Sequence, residues 1–229
     1  MSEGKKAPSA RTRVRRLSER GRYDRQCLLD VLGANAICHV ALAVDGEPVV
    51  IPTLYWFDDE RLYFHGSVAS RLMRGSTGQK VCISIARLDG LVLARSAFHH
   101  SANYRSAVIY GIAEPVKETS AAEEVLRQMM ATFFPDRWDQ LRPVSLQELK
   151  ATRVLSVALD EASVKVRTGP PADLKKDLRW PVWAGVVPIQ TVIGAPVADA
   201  GAHAGGSPVP SVKGLRRLAS GADDRPILP

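Results

Sequence analysis

The amino-acid sequence predicts a mainly β protein, an antiparallel barrel that is closed or partly closed and carries helices on its outside. Short apolar runs rich in Val and Ile alternate with turn signals from residue 36 to residue 166, which is typical of antiparallel strands. One predicted helix precedes this pattern, and two helices interrupt it late in the domain. Residues 168–229 hold nine of the 15 prolines and eight of the 17 glycines, which excludes long helices and central strands there.

The first half of the chain reads as one helix and three strands. Asp24 can cap the amides of a helix that ends near Gly33. Strands are then predicted at 36–44, 49–56 and 61–65. Asp45-Gly46 suits the positive φ angles of a tight hairpin between the first two strands, and Asp58-Asp59-Glu60 forms the next turn.

The second half adds further strands and two helices. Asp89-Gly90 predicts a hairpin between strands at 80–87 and 91–98, and a long strand covers 104–116. Capping boxes at Ser120–Glu123 and Ser145–Glu148 predict two helix starts. Two last strands are expected at 154–159 and 164–166.

The charge pattern divides the chain into three parts. Residues 1–25 contain nine basic and three acidic residues, which leaves 22 basic and 21 acidic residues for the remainder of a chain of net charge +7. We therefore expect a basic arm at 1–23, a domain at 24–198 whose Pro/Gly-rich end wraps it from about residue 168, and a disordered tail at 199–229. The arm is either a solvated tail or a weak contact for an anionic partner; a nucleic-acid function is not expected, because the body has no basic excess.

Several classes of protein are not expected from this composition. No run of about 18 apolar residues suggests a membrane span, and no secretory signal is visible, so we expect a cytoplasmic protein. Cys27, Cys38 and Cys82 are too few and too scattered for a disulfide framework and are expected to fill the core. No standard catalytic or metal-binding spacing is present, so no metal site is expected.

Residues 63–72 form the first polar cluster, where a strand gives way to a short helix. Ser67 and Ser70 can donate hydrogen bonds, and Arg71 offers a fork to phosphate oxygens near the amides of a helix start. The cluster is therefore a candidate phosphate site, although a serine at this position can equally be only a helix cap.

Residues 99–106 form the second polar cluster, which runs from His99-His100 to Arg105-Ser106 ahead of a long apolar strand. The density of polar groups exceeds what a simple hairpin loop needs. A surface loop whose Ser101 and Asn103 make local turns explains the pattern equally well.

Taken together, these pieces resemble the pyridoxamine 5'-phosphate oxidase-like family of FMN-binding split barrels, in its flavin-nucleotide-binding or nitroimidazole-resistance-like branch. The resemblance covers about residues 11–198, and six pieces occur in the family's order: 22–24, 50–56, 62–71, 89–96, 100–106 and 183–188. It implies a six-stranded antiparallel split β-barrel that forms a homodimer, with FMN at the subunit interface.

The resemblance also implies which residues bind FMN. The strand around residues 52–55 meets the polar edge of the flavin through backbone groups, and the segment 64–72 holds ribityl and phosphate. The implied contacts are Pro52, Thr53, Leu54, Tyr55, Phe64, His65, Ser67, Ser70, Arg71, Leu72, Arg105, Ser106 and Trp183.

Departures from the family pattern bear on the substrate. The oxidases have Gln at the position of Ser106 and Lys at the position of Leu72. They also have an Arg-x-His ending that holds pyridoxamine phosphate, and residues 183–188 occupy that part of this chain instead. Vitamin B6 oxidation is therefore not the first expectation. His65, where the branch has a histidine near the flavin, is either a proton donor or acceptor in catalysis or only a hydrogen-bonding residue.

The sequence thus predicts an FMN-dependent oxidoreductase that acts on a small molecule. The alternative is a non-enzymatic protein that binds or carries flavin, deazaflavin or haem on the same fold. In either case the flavin or haem would perform the redox chemistry, and the protein would supply binding and electrostatics.

Overall fold

In the computed structural model, which describes residues 6–199 and 212–219, ten strands form one antiparallel sheet that curls into a half-barrel. The strands are β1 (Gly21–Arg22), β2 (Ile37–Val44), β3 (Glu47–Phe57), β4 (Arg61–Ser67), β5 (Lys80–Leu93), β6 (Ser101–Ile112), β7 (Glu114–Pro115), β8 (Thr152–Ala158), β9 (Ala162–Arg167) and β10 (Gly185–Pro188). Four α-helices accompany them: α1 (Arg25–Gly33), α2 (Arg71–Ser76), α3 (Thr119–Phe133) and α4 (Leu146–Ala151).

The strand order along the sheet is β1-β9-β6-β5-β2-β3-β4-β8-β7, with β10 added to the end of β5. This confirms the predicted mainly β fold with flanking helices. The strand count differs from the six expected: seven strands have six or more residues, and β1, β7 and β10 are short strands of two to four residues that extend the sheet.

Local sequence signals explain several element boundaries. The carboxylate of Asp24 accepts a hydrogen bond from the amide of Cys27 at 2.8 Å and so caps α1, as predicted. Asp45 and Gly46 both have positive φ, 52° and 84°, and form the predicted hairpin between β2 and β3. At Ser145 the predicted capping box is complete, since its side chain and that of Glu148 each accept from the other's amide.

The predicted hairpin at Asp89-Gly90 is wrong, because β5 runs through both residues with a bulge between Leu88 and Gly90. Asp89 places its carboxylate against the guanidinium of Arg105, at 2.8 and 3.0 Å. A Cβ on Gly90 would lie 3.0 Å from the carbonyl oxygen of Val187. No turn forms here: Asp89 instead makes an ion pair, and Gly90 leaves the space that β10 needs to lie close to β5.

The predicted capping box at Ser120 is also wrong. Helix α3 begins at Thr119, so its N-cap is Glu118, two residues before Ser120, and Glu118 makes no side-chain hydrogen bond to the helix. Phe133 is buried on the predicted apolar face of this helix, with Val125, Leu126 and Met129 packed beside it, and the helix ends before Pro135. Tertiary packing of that face, rather than a cap, therefore defines α3.

Two apolar clusters hold the fold together. The larger fills the barrel with side chains from α1, α2 and the long strands, including Tyr55, Phe64, Leu72 and Cys38. The smaller packs α3 against the outer side of β3 and β4, around Trp56 and Tyr63. Cys38 is buried as expected, while Cys27 and Cys82 are half-buried, and all three are free thiols.

Described segments near each end of the chain contact the rest of the fold. Arg11 forms an ion pair with Glu161 and lies over the ring of Tyr110 at 4.8 Å, which ties the basic arm to the sheet. Val212–Leu218 is a 3-10 helix against α3, whose Leu218 carbonyl accepts from Arg87 at 3.1 Å. Of the tail at 199–229 that was expected to be disordered, the structure describes only Asp199 and residues 212–219; the other residues of the tail lie outside the described part.

Within the described part, no helix is both long and apolar enough to cross a membrane.

Candidate functional site

A split between β3 and β4 is the central feature of the candidate site. β3 pairs with β2 from Glu47 to Leu54, but it pairs with β4 only at residues 55–57. β4 pairs with β8 along its whole length, and beyond Phe64 this pairing continues without β3: His65 lies opposite Val154 and Ser67 opposite Thr152. The two strands therefore diverge, and among the described residues no strand covers this edge of β3 before Tyr55.

The backbone of β3 presents polar groups to this split. The amide of Tyr55 donates to the carbonyl of Ala36, on the β2 side, at 3.1 Å. Because successive residues of a strand direct their backbone groups to opposite edges, those of Leu54 and the carbonyl of Pro52 point to the open edge. The Thr53 hydroxyl lies 3.5 Å from the Leu54 carbonyl. These groups can hydrogen-bond the edge of a flat polar ligand.

Three of the predicted site residues turn their side chains into the barrel core. Tyr55, Phe64 and Leu72 are buried there. The hydroxyl of Tyr55 donates to the carbonyl of Leu32 at 2.7 Å, and burial raises the pKa of this phenol. These three side chains therefore pack in the core beneath the site.

The polar cluster at the end of β4 lies beside the split. Ser70 caps α2 by accepting from the amide of Met73 at 3.2 Å, and Ser67 accepts from the amide of Ala69 at 3.3 Å. Both hydroxyls keep a proton to donate. The guanidinium of Arg71 is exposed, and no hydrogen-bond or ion-pair partner for it is found among the described residues. This cation is therefore available to an anion.

Two further arginines lie near this cluster and were missed by the sequence reasoning. Arg74 is exposed and follows Arg71 by three residues, so both occupy one side of α2. Arg153 lies opposite Gly66 in the β4–β8 ladder and donates to the hydroxyl of Thr77 at 3.2 Å. The spacing of Arg74 was visible in the sequence, whereas the position of Arg153 depends on strand pairing.

His65 stands at the border between the split and the smaller apolar cluster. Its ring lies 5.6 Å from that of Trp56, and its Nδ1 is buried without a hydrogen-bond partner in the described part of the chain. Burial lowers the pKa of this imidazole, since the charged form is poorly solvated there. His65 is thus a neutral imidazole at neutral pH, able to accept or donate a proton.

The other predicted residues lie elsewhere in the same chain. Arg105 and Ser106 are on β6, separated from β3 by β5 and β2. Hydrogen bonding to Asp89 raises the pKa of Arg105, and the Ser106 hydroxyl donates to the carbonyl of Lys165 at 3.3 Å. Trp183 lies just before β10, with an exposed indole. A single chain therefore brings together residues 52–54 with 65–71 but not these three.

The site combines an open backbone edge, two hydroxyls, unpaired guanidinium groups and a neutral imidazole. Such a set suits a flat heteroaromatic ligand that carries a phosphate. No group of three or more His, Cys, Asp or Glu that could hold a metal ion is found within residues 6–199 and 212–219.

Comparisons with known proteins agree with this geometry. The family model of pyridoxamine 5'-phosphate oxidase matches residues 24–166. The structure of the flavocytochrome Anf3 from Azotobacter vinelandii is 38% identical, with a TM-score of 0.87 over 93% of this chain and 98% of that one. The FAD and heme binding protein from Mycobacterium smegmatis is 34% identical, with a TM-score of 0.80 over 87% of this chain and 97% of that one.

A more distant structure shares the fold. A putative 5-nitroimidazole antibiotic resistance protein from Bacteroides thetaiotaomicron VPI-5482 is 20% identical, with a TM-score of 0.53 over 64% of this chain and 86% of that one. No curated protein sequence matches the chain.

Proposed function

The chain belongs to the pyridoxamine 5'-phosphate oxidase family, and on this premise we propose that it binds a flavin nucleotide and works as a flavin-dependent oxidoreductase on a small molecule. The observation that carries the proposal is the open edge of β3 beside the unpaired cation of Arg71. When bound, the flavin supplies electron or hydride transfer.

The residues of the split have distinct roles in this proposal. The backbone groups of Pro52 and Leu54 hydrogen-bond the polar edge of the flavin ring. Ser67, Ser70 and Arg71 hold the phosphate, where a guanidinium fork and hydroxyl donors complement its oxygens. His65, neutral and partly desolvated, serves as the proton donor or acceptor beside the ring.

The cations around the site also bear on whether the flavin is FMN or FAD. FMN is the cofactor implied by the family resemblance, and the name of the Mycobacterium smegmatis relative specifies FAD. Both share the ring and the first phosphate. Arg74 and Arg153 add two cations near Arg71, and their positive charge favours binding of the second phosphate of FAD.

A homodimer with the flavin between subunits is part of the proposal. The outward face of β2 and β3 exposes Ile37, at 47%, and Val50, at 60%, and such an apolar surface favours a protein partner. Arg105, Ser106 and Trp183, which one chain keeps apart from the split, are then contributed by the second copy or serve another purpose. We also retain a cytoplasmic location, since three free thiols suit a reducing compartment.

A visible spectrum tests the central claim. Purified untagged protein should show flavin absorption, or acquire it with FMN or FAD, and mass spectrometry of the released ligand distinguishes the two. A protein whose spectrum and melting temperature do not change on addition of FMN or FAD would rule out the proposal. Light scattering with and without flavin tests the dimer.

A non-enzymatic binding or carrier protein for flavin, deazaflavin or haem is the second candidate. It is favoured by the names of two relatives, which specify a flavocytochrome and a heme-binding protein. Reduction of the bound flavin by NADH or NADPH would support the oxidoreductase, and a bound flavin that neither reduces would support the carrier.

A further inference from the structure

Helix α3 covers the outer side of β3 and β4 next to the split. Phe133 of this helix belongs to one apolar cluster with Trp56 of β3 and Tyr63 of β4. Leu54, whose backbone groups face the split, packs against the same cluster. The layer beneath α3, with Trp56, Phe133 and Leu54 at its centre, is therefore continuous with the edge of the split. We call this layer the α3 interface.

The 3-10 helix Val212–Leu218, which we call the tail helix, closes one side of the α3 interface. Its Leu215 packs against the cluster that contains Trp56. A Cβ placed on Gly214 would lie 2.6 Å from the carbonyl oxygen of Thr132, near the end of α3. Only glycine allows such a close approach between two backbones. The tail helix is therefore fitted closely to the end of α3.

The tail helix brings a guanidinium group into this interface. Arg217 lies over the ring of Phe133, 4.9 Å from its centroid, and 6.0 Å from the centroid of Phe57. Its Nε and Nη2 are buried, and neither has a hydrogen-bond partner among the residues that the structure describes. Burial lowers the pKa of Arg217, yet a guanidinium stays charged at neutral pH. A buried cation in this position is stabilised by an anion.

Two aromatic rings of the α3 interface also carry unpaired nitrogen atoms. Trp56 is 1% exposed, and its Nε1 has no hydrogen-bond acceptor in the described part of the chain. The imidazole of His65 lies 5.6 Å from the indole, and its Nδ1 is buried and unpaired within the same residues. A buried donor without an acceptor costs the free energy of its desolvation. The indole and the imidazole therefore both gain from a hydrogen-bonding ligand.

These nitrogen atoms all suit one kind of ligand atom. Six buried side-chain atoms lack a hydrogen-bond partner within residues 6–199 and 212–219, and four of them belong to Trp56, His65 and Arg217. Indole and guanidinium groups only donate hydrogen bonds, and a neutral imidazole can donate from Nδ1. A carboxylate accepts such bonds and neutralises a guanidinium through its two oxygens. The remaining walls are apolar, which is typical of small-molecule sites.

We propose that the α3 interface binds an apolar organic molecule that carries a carboxylate group, and that this is the substrate class of the flavin enzyme. Arg217 binds the carboxylate, Trp56 donates from Nε1 to an oxygen of the ligand, and His65 lies where the interface meets the split. Leu215 and Arg217 both belong to the tail helix, which is not part of the sheet, so a shift of this helix admits the ligand without breaking strand pairing. The identification as substrate rests on the proposed function, whereas the binding site rests on these contacts.

The other two buried atoms without a partner in the described chain do not form such a site. One is Nη2 of Arg87, whose Nε already lies 3.7 Å from the carboxylate of Asp89. The other is Nε of Arg95, whose Nη1 donates to Asp173 at 2.8 Å. Both guanidinium groups therefore have an anion within the chain, unlike that of Arg217.

Calorimetric titration of the full chain tests the proposal. The probes are 2-naphthoate, an apolar carboxylate, and 2-naphthalenemethanol, its neutral counterpart. The wild type should bind one naphthoate per chain, and about tenfold or more tightly than the alcohol, as expected for a charge-assisted hydrogen bond. Arg217→Met should lose this preference and retain its affinity for the alcohol. Arg217→Lys, which keeps the charge, should retain part of the preference.

Two further variants complete the comparison. Arg179→Met changes an exposed arginine of another 3-10 helix and should bind both probes as the wild type does. Trp56→Phe removes the indole donor but keeps an aromatic ring, and it should weaken binding of both probes, since each carries an oxygen. The melting temperature of every variant without ligand shows whether the fold is intact.

Several results would overturn the assignment. A wild type that binds neither probe, or binds the two equally, would do so, and so would an unchanged preference in Arg217→Met. A lower melting temperature with unaltered naphthoate affinity in that variant would give Arg217 only a structural role in holding the tail helix. The titrations are made with and without FMN. Flavin uptake without naphthoate binding contradicts this inference alone, and naphthoate binding by a chain that takes up no flavin contradicts the proposed flavin function.

Discussion

The phenolic hydroxyl of Tyr55, on β3, donates a 2.7 Å hydrogen bond to the carbonyl oxygen of Leu32, in the last turn of α1. The same carbonyl also accepts from the amide of Asn35 at 3.3 Å, so the phenol supplies a second hydrogen bond to an oxygen at the end of the helix. It also joins the first helix to the strand whose open edge forms the split.

Tyr55→Phe should therefore reduce the free energy of unfolding by about 0.5–1.5 kcal/mol, the typical net contribution of one hydrogen bond, since the Leu32 carbonyl keeps the amide of Asn35 as a donor. Urea unfolding of the two proteins measures the difference. Tyr104→Phe, at a half-buried position with no hydrogen bond from its hydroxyl among the described contacts, is the control and should change stability by less than about 0.5 kcal/mol. Equal effects of the two variants would contradict this account.

Asp89→Asn should destabilise the barrel strongly. The buried carboxylate of Asp89 receives two hydrogen bonds from Arg105 and lies 3.7 Å from Nε of Arg87. Removing its charge leaves the two guanidinium groups without an anion, at a cost of about 3 kcal/mol or more. Chemical denaturation checks this. Glu114→Gln, in an exposed ion pair with Arg61, should cost at most about 1 kcal/mol.

Arg71→Ala should weaken flavin binding by about 1.5–3 kcal/mol, the usual contribution of a hydrogen bond to a charged group. Fluorescence titration with FMN and with FAD measures the change. Arg13→Ala removes an exposed arginine from the basic arm and should bind flavin as the wild type does. Unaltered affinity in Arg71→Ala would show that this guanidinium does not hold the phosphate.

Acid should destabilise the protein partly through His65. Burial places its folded-state pKa below the ordinary value of 6.5, so above that pH the imidazole is neutral in both states and its contribution is complete. As pH falls below 6.5 the unfolded chain binds the proton first, and stability declines until the folded-state pKa is passed. His65→Gln should flatten this part of the curve of melting temperature against pH, and a variant whose curve keeps the slope of the wild type would contradict this account.

Two serines that share the same sequence motif should respond differently to substitution. Ser145→Ala should cost about 1 kcal/mol, because it removes a complete capping box. Ser120→Ala should be close to neutral, because Ser120 lies inside α3 and does not cap it. Thermal unfolding of both variants makes the comparison, and a larger loss for Ser120→Ala would place the start of α3 elsewhere.

The sequence by itself determined those elements whose signals are local. Asp24 caps α1 and Asp45-Gly46 turns the chain between β2 and β3, because the hydrogen bonds and φ angles involved lie within a few residues of one another. The same holds for the polar cluster at the end of β4, where Ser70 is a cap and Arg71 follows it at once.

Only the tertiary structure decided which distant residues meet. Asp89-Gly90 looks like a hairpin turn, yet an arginine on β6 and the approach of β10 keep it within one long strand. Strand pairing likewise separates Arg105 from the split and brings Arg153 towards it. Pairing is set by which apolar faces can be buried together across the whole sheet, and a chain read residue by residue does not contain that information explicitly.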